Sequence, residues 1–593
     1  MTARTPLDDD RREADLLPAA DRARSGSGPT VLAGAAVITM DSARPRAEAV
    51  AMSDGKILAV GPLADVVRRA GVRARVVNLD GGAILPGFID PHHHLFLMAA
   101  ERWSGPLPDP APRSIAALLK AVRQAVADDQ GSGWLRVHGH RPLSMAELRS
   151  PTAPELDGAC PDRPLHVIGL TYHESSVNSL GLARLGWGRR TPDPPGGRIV
   201  RDRRGRPTGV LLEAASLIAE ATSRAGLSSP EHARDWVDRA ERHTLALARA
   251  GITRIGDAAV PPVGMALYEQ AAAAGRLAVT VHRFPVGAGA ISEPASSGGA
   301  TGSGDPRLPV GPAKLLADGG ERCALCLTGR QVLASVSRTM WHSLGGGRRV
   351  VAIANRGGWA RRGQDGRYHT GIRVLSDRQL RLAVTAAAER GMQVAIHAIG
   401  NEAVAAALDA LEAASGALAG LPGTPRLEHA MVLDRRLAER IAAAGVMVVT
   451  QPVFLRDLGD EFAALPPPSP LRLMPLRMLL DAGASLAASS DFPAASFDPL
   501  ASIQVAVTRR LADGSIAGAE EAVSVDEALR LYTSSAAEAL GMERLAGVLS
   551  EGAAADLVLL SGDPLTIEPK RLGELRVLQT WVAGRPVGGA SPS

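Results

Sequence analysis

Residues 85–94 read Leu85-Pro86-Gly87-Phe88-Ile89-Asp90-Pro91-His92-His93-His94, an apolar run that ends in three histidines. On a β-strand, residues i and i+2 point to the same side, so His92 and His94 converge while His93 faces away. Neutral imidazoles at that spacing suit Zn²⁺ or a similar divalent ion. The stretch therefore predicts a strand with a metal site at its C-terminal end.

Four more polar residues close short apolar runs far downstream, namely Lys314, His397, His429 and Asp491. In a (β/α)₈ barrel the chemistry gathers at the C-terminal ends of the strands, where the βα loops form one open face. Each residue could instead be the N-cap of the following helix, which suits Asp491 taken alone. That interpretation does not explain why all of them stand at strand ends, so we expect them to converge.

Size and composition indicate a globular protein with a large core. The chain has 593 residues, of which 46% are hydrophobic and 22% charged, so one large barrel-type domain with attachments is expected. The 66 basic and 62 acidic residues nearly balance. A nucleic-acid interface requires clustered basic residues, and the sequence does not predict one.

The cysteines, Cys160, Cys323 and Cys326, form no disulfide framework, which indicates a reducing compartment and hence the cytoplasm. The pair Cys323 and Cys326 lacks both a second pair and a thioredoxin-like context, which disfavours a redox or zinc role. No window approaches the run of about 20 apolar residues that a membrane span requires. Residues 1–30 are polar and mix both charges, so we expect a disordered leader.

Both ends of the chain are rich in predicted strands. Residues 31–38 and 47–60 resemble hairpins with turn signals such as Asp54-Gly55, and residues 556–560 and 577–587 also resemble strands. Neither end alone covers an apolar face, so we expect residues 31–85 and 541–587 to pair into one small β-sandwich. Residues 86–540 would then form a separate domain.

Within that domain, short apolar runs alternate with alanine-rich amphipathic stretches, as expected of βα units and a parallel sheet. The predicted strands are Ile252–Asp257, Ala313–Ala317, Val394–His397, Arg426–His429, Val446–Gln451 and Leu486–Asp491. The predicted helices include Ala233–Ala250, Asp377–Arg390, Glu402–Ser415, Arg435–Ala444 and Val525–Gly541. Eight such units would close an α/β barrel.

These motifs resemble the amidohydrolase superfamily, in the amidohydrolase-3 subgroup that includes N-substituted formamide deformylases. The matching segments are Pro86-Gly87-Phe88-Ile89-Asp90 with the His-x-His pair, Lys314 with Asp318-Gly319, His397-Ala398-Ile399-Gly400, Glu428-His429-Ala430, Ser490-Asp491 with Pro493, and Ala555-Asp556-Leu557-Val558. Together they cover about residues 31–587.

The resemblance implies a metal-dependent hydrolase with a distorted (β/α)₈ TIM barrel and a β-sandwich built from both termini. It places six residues at metal-ligand positions for one or two divalent ions, with Zn²⁺ expected: His92, His94, Lys314, His397, His429 and Asp491. It also gives Lys314, His429 and Asp491 catalytic roles. In related enzymes the lysine is carboxylated on its amine, and burial favours the reactive neutral amine. Lys314 could instead bind a substrate anion or pair with Asp318.

Residues about 100–225 look like the subgroup's insertion, which lies over the active site in relatives. His173 and Asn178 are its candidates for substrate contact, although a structural role for His173 is equally compatible with the sequence. His138 and His140 copy the His-x-His spacing without the Pro-Gly-Phe-Ile-Asp lead, so they rank second as metal ligands.

Two features depart from the subgroup. Asn401 stands where the subgroup usually has aspartate, which removes a charge that could orient metal ligands. Residues 321–370, with Gly345-Gly346-Gly347, Trp341 and Trp359, match no family pattern. Loops over the open face of a barrel set specificity, so this segment and the insertion are expected to select the substrate.

The implied reaction is hydrolysis of a carbon–nitrogen bond in a small-molecule amide. Asp491 would take a proton from metal-activated water and return it to the leaving amine, while His429 would bind metal or stabilise the oxyanion. No Gly-x-Ser-x-Gly elbow or phosphate-binding P-loop is present. Two alternatives stay open: a cyclic amide or N-acyl amino acid hydrolase, and a metal-free relative that acts as a binding protein. The oligomeric state is also open, with a homodimer as one option.

Overall fold

The computed structural model describes residues 28–101, 105–106, 111–129, 131, 133–224, 229–287, 299–320, 322–342, 360–459, 461 and 467–587. Most of the predicted leader, Gly345-Gly346-Gly347 and Trp359 lie outside the described residues. No helix within the described ranges is both long and apolar enough to cross a membrane.

The strands are, in chain order, β1 Thr30–Ile38, β2 Arg46–Ser53, β3 Lys56–Gly61, β4 Arg75–Asn78, β5 Ala83–Pro86, β6 Phe88–His93, β7 Gly105–Pro106, β8 Leu135–His140, β9 Leu165–Gly169, β10 Glu174–Val177, β11 Gly197–Arg201, β12 Pro207–Glu213, β13 Ile252–Val260, β14 Thr280–Pro285, β15 Ala313–Leu316, β16 Leu325–Leu327, β17 Arg361–Arg362, β18 Tyr368–Thr370, β19 Val394–Ala398, β20 Arg426–His429, β21 Val432–Leu433, β22 Met447–Thr450, β23 Arg472–Leu473, β24 Leu486–Ala488, β25 Leu557–Leu560, β26 Val577–Val582 and β27 Arg585–Val587.

The α-helices are α1 Leu63–Ala70, α2 Leu95–Ala100, α3 Ile115–Asp128, α4 Ala153–Asp157, α5 Ser179–Leu185, α6 Ala214–Ser223, α7 Pro230–Arg249, α8 Pro262–Ala273, α9 Gly329–His342, α10 Asp377–Glu389, α11 Asn401–Ala413, α12 Ser415–Leu418, α13 Arg435–Ala443, α14 Phe454–Asp457, α15 Leu476–Asp481, α16 Pro499–Thr508, α17 Val525–Leu531 and α18 Ser534–Ala539. Short 3₁₀ helices cover Pro142–Ser144, Ala519–Glu521 and Pro569–Glu574.

Strands from both ends of the chain share one eight-stranded sheet, in the order β27-β26-β25-β5-β1-β2-β3, with β4 paired to β1. The two ends meet where β5 pairs antiparallel with β25, so that Leu85 lies opposite Val558. The β2–β3 hairpin turns at Asp54 and Gly55, which both have positive φ (51° and 76°). Positive φ at both residues is typical of the tight hairpin turn that the Asp-Gly pair indicates.

Eight parallel strands carry the middle of the chain. They form two sheets, in the orders β14-β13-β6 and β15-β19-β20-β22-β24. At one junction the Gly311 N–H donates to the Arg283 carbonyl (2.8 Å), and at the other the Asp491 N–H donates to the His92 carbonyl (2.9 Å). Four strands of this set, β6, β15, β19 and β20, carry residues predicted to take part in the chemistry, so strand order decides which side chains meet.

Two elements differ from the sequence-based expectation. The predicted helix Val525–Gly541 is two helices, α17 and α18, because the Tyr532 carbonyl leaves the helix to accept a hydrogen bond from Ile89 N–H on β6 (2.8 Å). β14 was not predicted at all, since His282 and Arg283 interrupt its apolar run.

Three smaller sheets are also present, one of which is the β21–β23 pair. The insertion forms the order β11-β12-β10-β9-β8-β7, and three short strands form the order β16-β18-β17. We call β16, β17 and β18 the flap. The flap lies directly after Asp318, so it belongs to the surroundings of the candidate site described next.

Candidate metal centre and active site

His92 is held by a buried carboxylate. Its Nδ1 lies 2.5 Å from Glu428 Oε2, and Arg426 donates two hydrogen bonds to the same carboxylate, at 2.7 and 2.9 Å. An ionised carboxylate can only accept, so the proton lies on His92 Nδ1 and Nε2 presents a lone pair. A carboxylate on the far ring nitrogen is the usual orienting partner of metal-binding histidines.

His94 and Asp491 complete a compact group with His92. Asp491 Oδ1 lies 2.9 Å from His94 Nε2 and 3.4 Å from His92 Nε2. His94 Nδ1 lies 2.9 Å from the Ala258 carbonyl, which can only accept, so His94 Nε2 also presents a lone pair. Two lone pairs therefore face a carboxylate, an arrangement that a cation stabilises. The three ligand atoms lie within 4.8 Å of one another, and their nitrogen and oxygen donors fit Zn²⁺ or a similar divalent ion.

Lys314 lies against this group. Its Nζ is 3.2 Å from His92 Nε2, and the residue is only 3% exposed. Burial lowers the pKa of Lys314 to about 8, which makes the neutral amine accessible near physiological pH. Asp318, the alternative partner from the sequence, instead accepts hydrogen bonds from the N–H groups of Ala324, Ile399 and Gly400.

His429 and His397 extend the row of imidazoles beyond His92. The ring centroids of His92 and His429 are 5.2 Å apart, and those of His429 and His397 are 4.4 Å apart. His429 Nδ1 lies 2.7 Å from Gln451 Oε1, whose own amide donates to Ser489 Oγ at 2.9 Å. Burial lowers the pKa of His429 to about 3, so its ring is neutral and suited to a metal.

His397 has an unused nitrogen. Its Nε2 is buried and has no hydrogen-bond partner within the described part of the chain, and Asp318 Oδ1 is 3.7 Å away. Burial holds the pKa of His397 well below its usual value and raises the pKa of Asp318 to about 7. A buried unpartnered nitrogen costs free energy unless a ligand fills the space. This atom therefore also fits a bound cation.

Charge is concentrated in two carboxylates of the centre. Burial alone would raise the pKa of Glu428, but Arg426 and His92 outweigh it and lower that pKa strongly. Burial likewise opposes ionisation of Asp491, and His92 and His94 overcome it and lower that pKa strongly. Both carboxylates are therefore ionised at neutral pH.

The backbone is strained at two of these positions. His429 has φ +75° and Asp491 has φ +54°, a left-handed conformation that non-glycine residues adopt at a cost of about 1–3 kcal/mol. Such strain persists only where surrounding contacts impose it. Asp491 is not a helix N-cap, because Asp498 caps α16 through the N–H groups of Leu500 and Ala501.

His93 faces the opposite side from its two neighbours. Its Nδ1 lies 2.9 Å from Asp90 Oδ2, and its Nε2 lies 2.9 Å from His243 Nε2 on α7. Asp90 also accepts hydrogen bonds from the N–H and the hydroxyl of Ser490, at 2.9 and 2.5 Å. This network joins β6 to the segment that carries Asp491, and so it aligns the two halves of the centre.

The insertion contributes His173 and Glu213 near the row of imidazoles. His173 lies 5.3 Å from His397 between ring centroids, and its Nδ1 is 2.6 Å from Glu213 Oε2. Asn178 is not brought to the centre. It is the N-cap of α5, and its amide bonds to Leu165, Gly181, Cys160 and Arg163 backbone atoms.

The second-choice metal pair lies inside the insertion. His138 stacks on Tyr172 at 4.7 Å, and its Nε2 is 3.3 Å from the Leu170 carbonyl. His140 Nε2 lies 3.1 Å from Ser150 Oγ. Neither residue belongs to the group formed by His92, His94 and Asp491.

Asn401 lies against β16 of the flap. Its side chain accepts a hydrogen bond from Cys326 N–H (3.0 Å) and donates one to the Cys326 carbonyl (2.9 Å). Asn401 therefore connects the flap to α11. The carboxylate that lies beside His397 belongs to Asp318. An aspartate could only accept, so the amide suits this two-way contact better.

Arg426, Gln451 and Glu213 were missed as site residues. Arg426 and Gln451 stood at the ends of predicted strands, but nothing in the sequence indicated their partners. Glu213 follows an apolar run, Gly209-Val210-Leu211-Leu212, which was the only signal available for it.

Comparison with known proteins gives consistent matches along most of the chain. The model of the amidohydrolase family matches residues 75–588. An N-substituted formamide deformylase from Arthrobacter pascens is 30% identical over 561 residues, covering 93% of this chain and 97% of the relative. The putative amidohydrolase YtcJ of Bacillus subtilis is 30% identical, covering 93% of this chain and 98% of the relative.

A solved structure supports the same fold. The chain resembles an uncharacterized metal-dependent hydrolase from Pyrococcus horikoshii with a TM-score of 0.65 and 20% identity, covering 91% of this chain and 99% of that one. The shared architecture is a TIM-barrel-like α/β fold. By the extent of the family match and the identity to its relatives, this chain belongs to the amidohydrolase family, whose members hydrolyse non-peptide carbon–nitrogen bonds.

Proposed function

We propose that this protein is a metal-dependent hydrolase that cleaves the carbon–nitrogen bond of an uncharged N-substituted amide, with an N-substituted formamide as the first choice. The observation that carries the proposal is the convergence of His92 Nε2, His94 Nε2 and Asp491 Oδ1 within 4.8 Å, with Lys314 beside them. The relative named N-substituted formamide deformylase supports the substrate class.

The ligands follow from the donor atoms. His92, His94 and Asp491 would hold one divalent ion, for which Zn²⁺ is the first choice, and Lys314, His397 and His429 would hold a second. A carboxyl group on Lys314 Nζ would turn a cationic donor into an anionic oxygen ligand, and the lowered pKa of Lys314 favours that modification. When bound, a divalent ion acidifies water and polarises the scissile carbonyl.

The side chains have separate tasks in this reaction. Asp491 is ionised and 13% exposed, so it can take a proton from the attacking water and transfer it to the leaving nitrogen. His429 is neutral and fixed by Gln451, which lets its Nε2 bind metal or stabilise the oxyanion. Glu428 keeps the lone pair of His92 directed at the centre.

The charges around the centre favour an uncharged substrate. Arg426 is paired with Glu428, Arg373 with Asp377, and Arg322 with Glu174. A substrate carboxylate binds best to an arginine that is not already neutralised. This pairing favours a simple amide over an N-acyl amino acid.

The proposed architecture places this centre in a distorted, closed (β/α)₈ barrel over residues 86–540. The insertion at about residues 100–225 would cover the barrel mouth, and residues 31–85 and 541–587 would form a small β-sandwich. The hydrogen bonds at both junctions of the parallel strands and the β5–β25 pair support this division. The three free cysteines support a cytoplasmic location.

The test combines metal content with a substrate panel. Protein purified without chelator should contain at least one Zn, Mn or Fe per chain and should hydrolyse N-formyl amines faster than N-acyl amino acids or cyclic ureides. Absence of metal would reject the hydrolase in favour of a binding protein. Turnover of cyclic ureides alone would reject the substrate class.

A further inference from the structure

A second group of metal-binding side chains lies outside the candidate centre. Cys326 is on β16, His369 is on β18, and Asp365 lies in the turn between β17 and β18. One ligand atom from each residue lies within 4.8 Å of the others. None of them contributes to the proposed catalytic centre, so the group needs its own explanation.

The flap holds the thiol and the imidazole on one face. Cys326 and His369 are directly opposite in the antiparallel pair β16/β18. The N–H and carbonyl of Cys326 both bond to the Asn401 side chain, so they point away from β18. Opposed residues that do not exchange backbone hydrogen bonds have Cα atoms only about 4.5 Å apart, and their side chains lie close together.

His369 is oriented as metal-binding histidines are. Its Nδ1 lies 2.8 Å from Glu402 Oε2, while its Nε2 lies 3.2 Å from Asp365 Oδ1. A Cβ added to Gly363 would fall 2.7 Å from His369 Nε2 and 2.6 Å from Asp365 Oδ1, so both atoms border the space that this glycine leaves open. Two ligands of a tetrahedral Zn²⁺ ion lie about 3.4 Å apart, close to the observed separation.

We propose that Cys326, Asp365 and His369 form a second, peripheral metal site for a thiophilic divalent ion such as Zn²⁺, with Glu402 orienting His369 and water completing the shell. Sulfur, nitrogen and oxygen ligands together suit Zn²⁺. Binding replaces the S–H bond of Cys326 with a sulfur–metal bond and releases one proton to solvent.

A metal here would stiffen the wall of the catalytic centre. Two residues before Cys326, the Ala324 N–H donates to Asp318 Oδ2 at 2.8 Å, and Asp318 faces His397. Glu402 is on α11, which begins four residues after His397. The ion would therefore cross-link β16 to β18 within the flap, and the contact of His369 with Glu402 would connect the flap to the helix that follows the centre.

Cobalt spectroscopy tests this site separately from catalysis. Chelator-treated full-length protein is titrated with Co²⁺, and the thiolate-to-cobalt charge-transfer band is followed in the near ultraviolet. The proposed catalytic centre contains no sulfur ligand, so only the peripheral site gives this band. We expect the band to saturate at one thiolate-bound Co²⁺ per chain, in addition to the ions that the catalytic centre takes up. Cys326→Ser should abolish the band, and His369→Gln should weaken Co²⁺ binding at this site at least tenfold.

Cys160→Ser is the control, because Cys160 is also outside any disulfide but lies buried in the insertion. It should leave the band unchanged. Absence of a band in folded wild-type protein would overturn the proposal. Loss of the band in Cys323→Ser but not in Cys326→Ser would also overturn it. A normal cobalt titration in a protein that fails to hydrolyse any amide would reject only the proposed function.

Discussion

His92 Nδ1 lies 2.5 Å from Glu428 Oε2, although 336 residues separate the two in the chain. They lie on β6 and β20, which belong to different sheets of the parallel set, and Arg426 pairs with the same carboxylate. This contact fixes which nitrogen of His92 faces Asp491 and Lys314. The competence of the centre for metal therefore depends on a carboxylate that does not bind the metal itself.

Removing the charge of Glu428 should weaken metal binding. Glu428→Gln leaves the Arg426 guanidinium buried without its counter-charge and releases the orientation of His92. We expect metal affinity to fall about 10–100-fold and the free energy of unfolding to fall by about 3–5 kcal/mol. Competition with a chelator and urea unfolding measure these effects. Glu439→Gln, in an exposed pair with Arg435, should change neither.

His92 and His93 point to opposite sides of β6, so their alanine variants should differ in the amount of bound metal. His92→Ala should remove a ligand and lower the metal bound per chain. His93→Ala should leave metal bound but destabilise the fold by about 1–3 kcal/mol, because Asp90 and His243 lose a buried hydrogen-bond partner. Elemental analysis and urea unfolding separate the two effects. Equal metal loss in both variants would contradict the register of β6.

Asp491→Asn should retain metal yet lose nearly all turnover. The amide keeps an oxygen for the metal but cannot take up a proton, so we expect kcat to fall by about 10²–10⁴-fold. Metal content and kcat are measured on the same preparation. An unchanged kcat would remove Asp491 from proton transfer.

The lowered pKa of Lys314 predicts carboxylation that depends on pH. Lys314 must lose a proton before its nitrogen adds to CO₂, which gives a carbamate and releases a second proton. Since its pKa is about 8, the carbamate should increase as pH rises from 7 to 9. A ¹³C NMR signal from labelled bicarbonate should follow this trend and be absent in Lys314→Arg. A signal of equal size in that variant would assign the carbamate elsewhere.

Asp257 should make stability depend on pH. Burial raises its pKa to about 6, from a usual value of 3.8, while the Tyr268 hydroxyl and the Phe96 N–H donate to it. Because the folded state binds the Asp257 proton more tightly than the unfolded state does, protonation stabilises the fold. This contribution is fully present below about pH 4 and is lost as pH rises through 6. Asp257→Asn removes this dependence. Urea unfolding measures this effect. Between pH 4 and 7, the free energy of unfolding of the variant should rise by about 3 kcal/mol relative to that of wild type, whereas that of the surface variant Asp526→Asn should not.

Much of the fold follows from local pattern. Apolar runs indicated seven of the eight parallel strands, including the histidine-bearing strand β6. They did so because a buried parallel strand needs side chains that are apolar on both faces. The strand β14 was not predicted, because His282 and Arg283 interrupt that apolar pattern. The break between α17 and α18 could not be predicted, since it depends on Ile89 far away in sequence.

The sequence by itself determined which side chains of β6 share a face, because the two-residue period of a strand is a local property. It also indicated the strand ends where polar residues stand. Only the tertiary structure decided which of those ends are neighbours, and thus that Glu428 orients His92, that Asn178 caps a helix, and that Cys326 meets His369 rather than Cys323. Such contacts depend on strand order and register, which bring together residues that no local pattern relates.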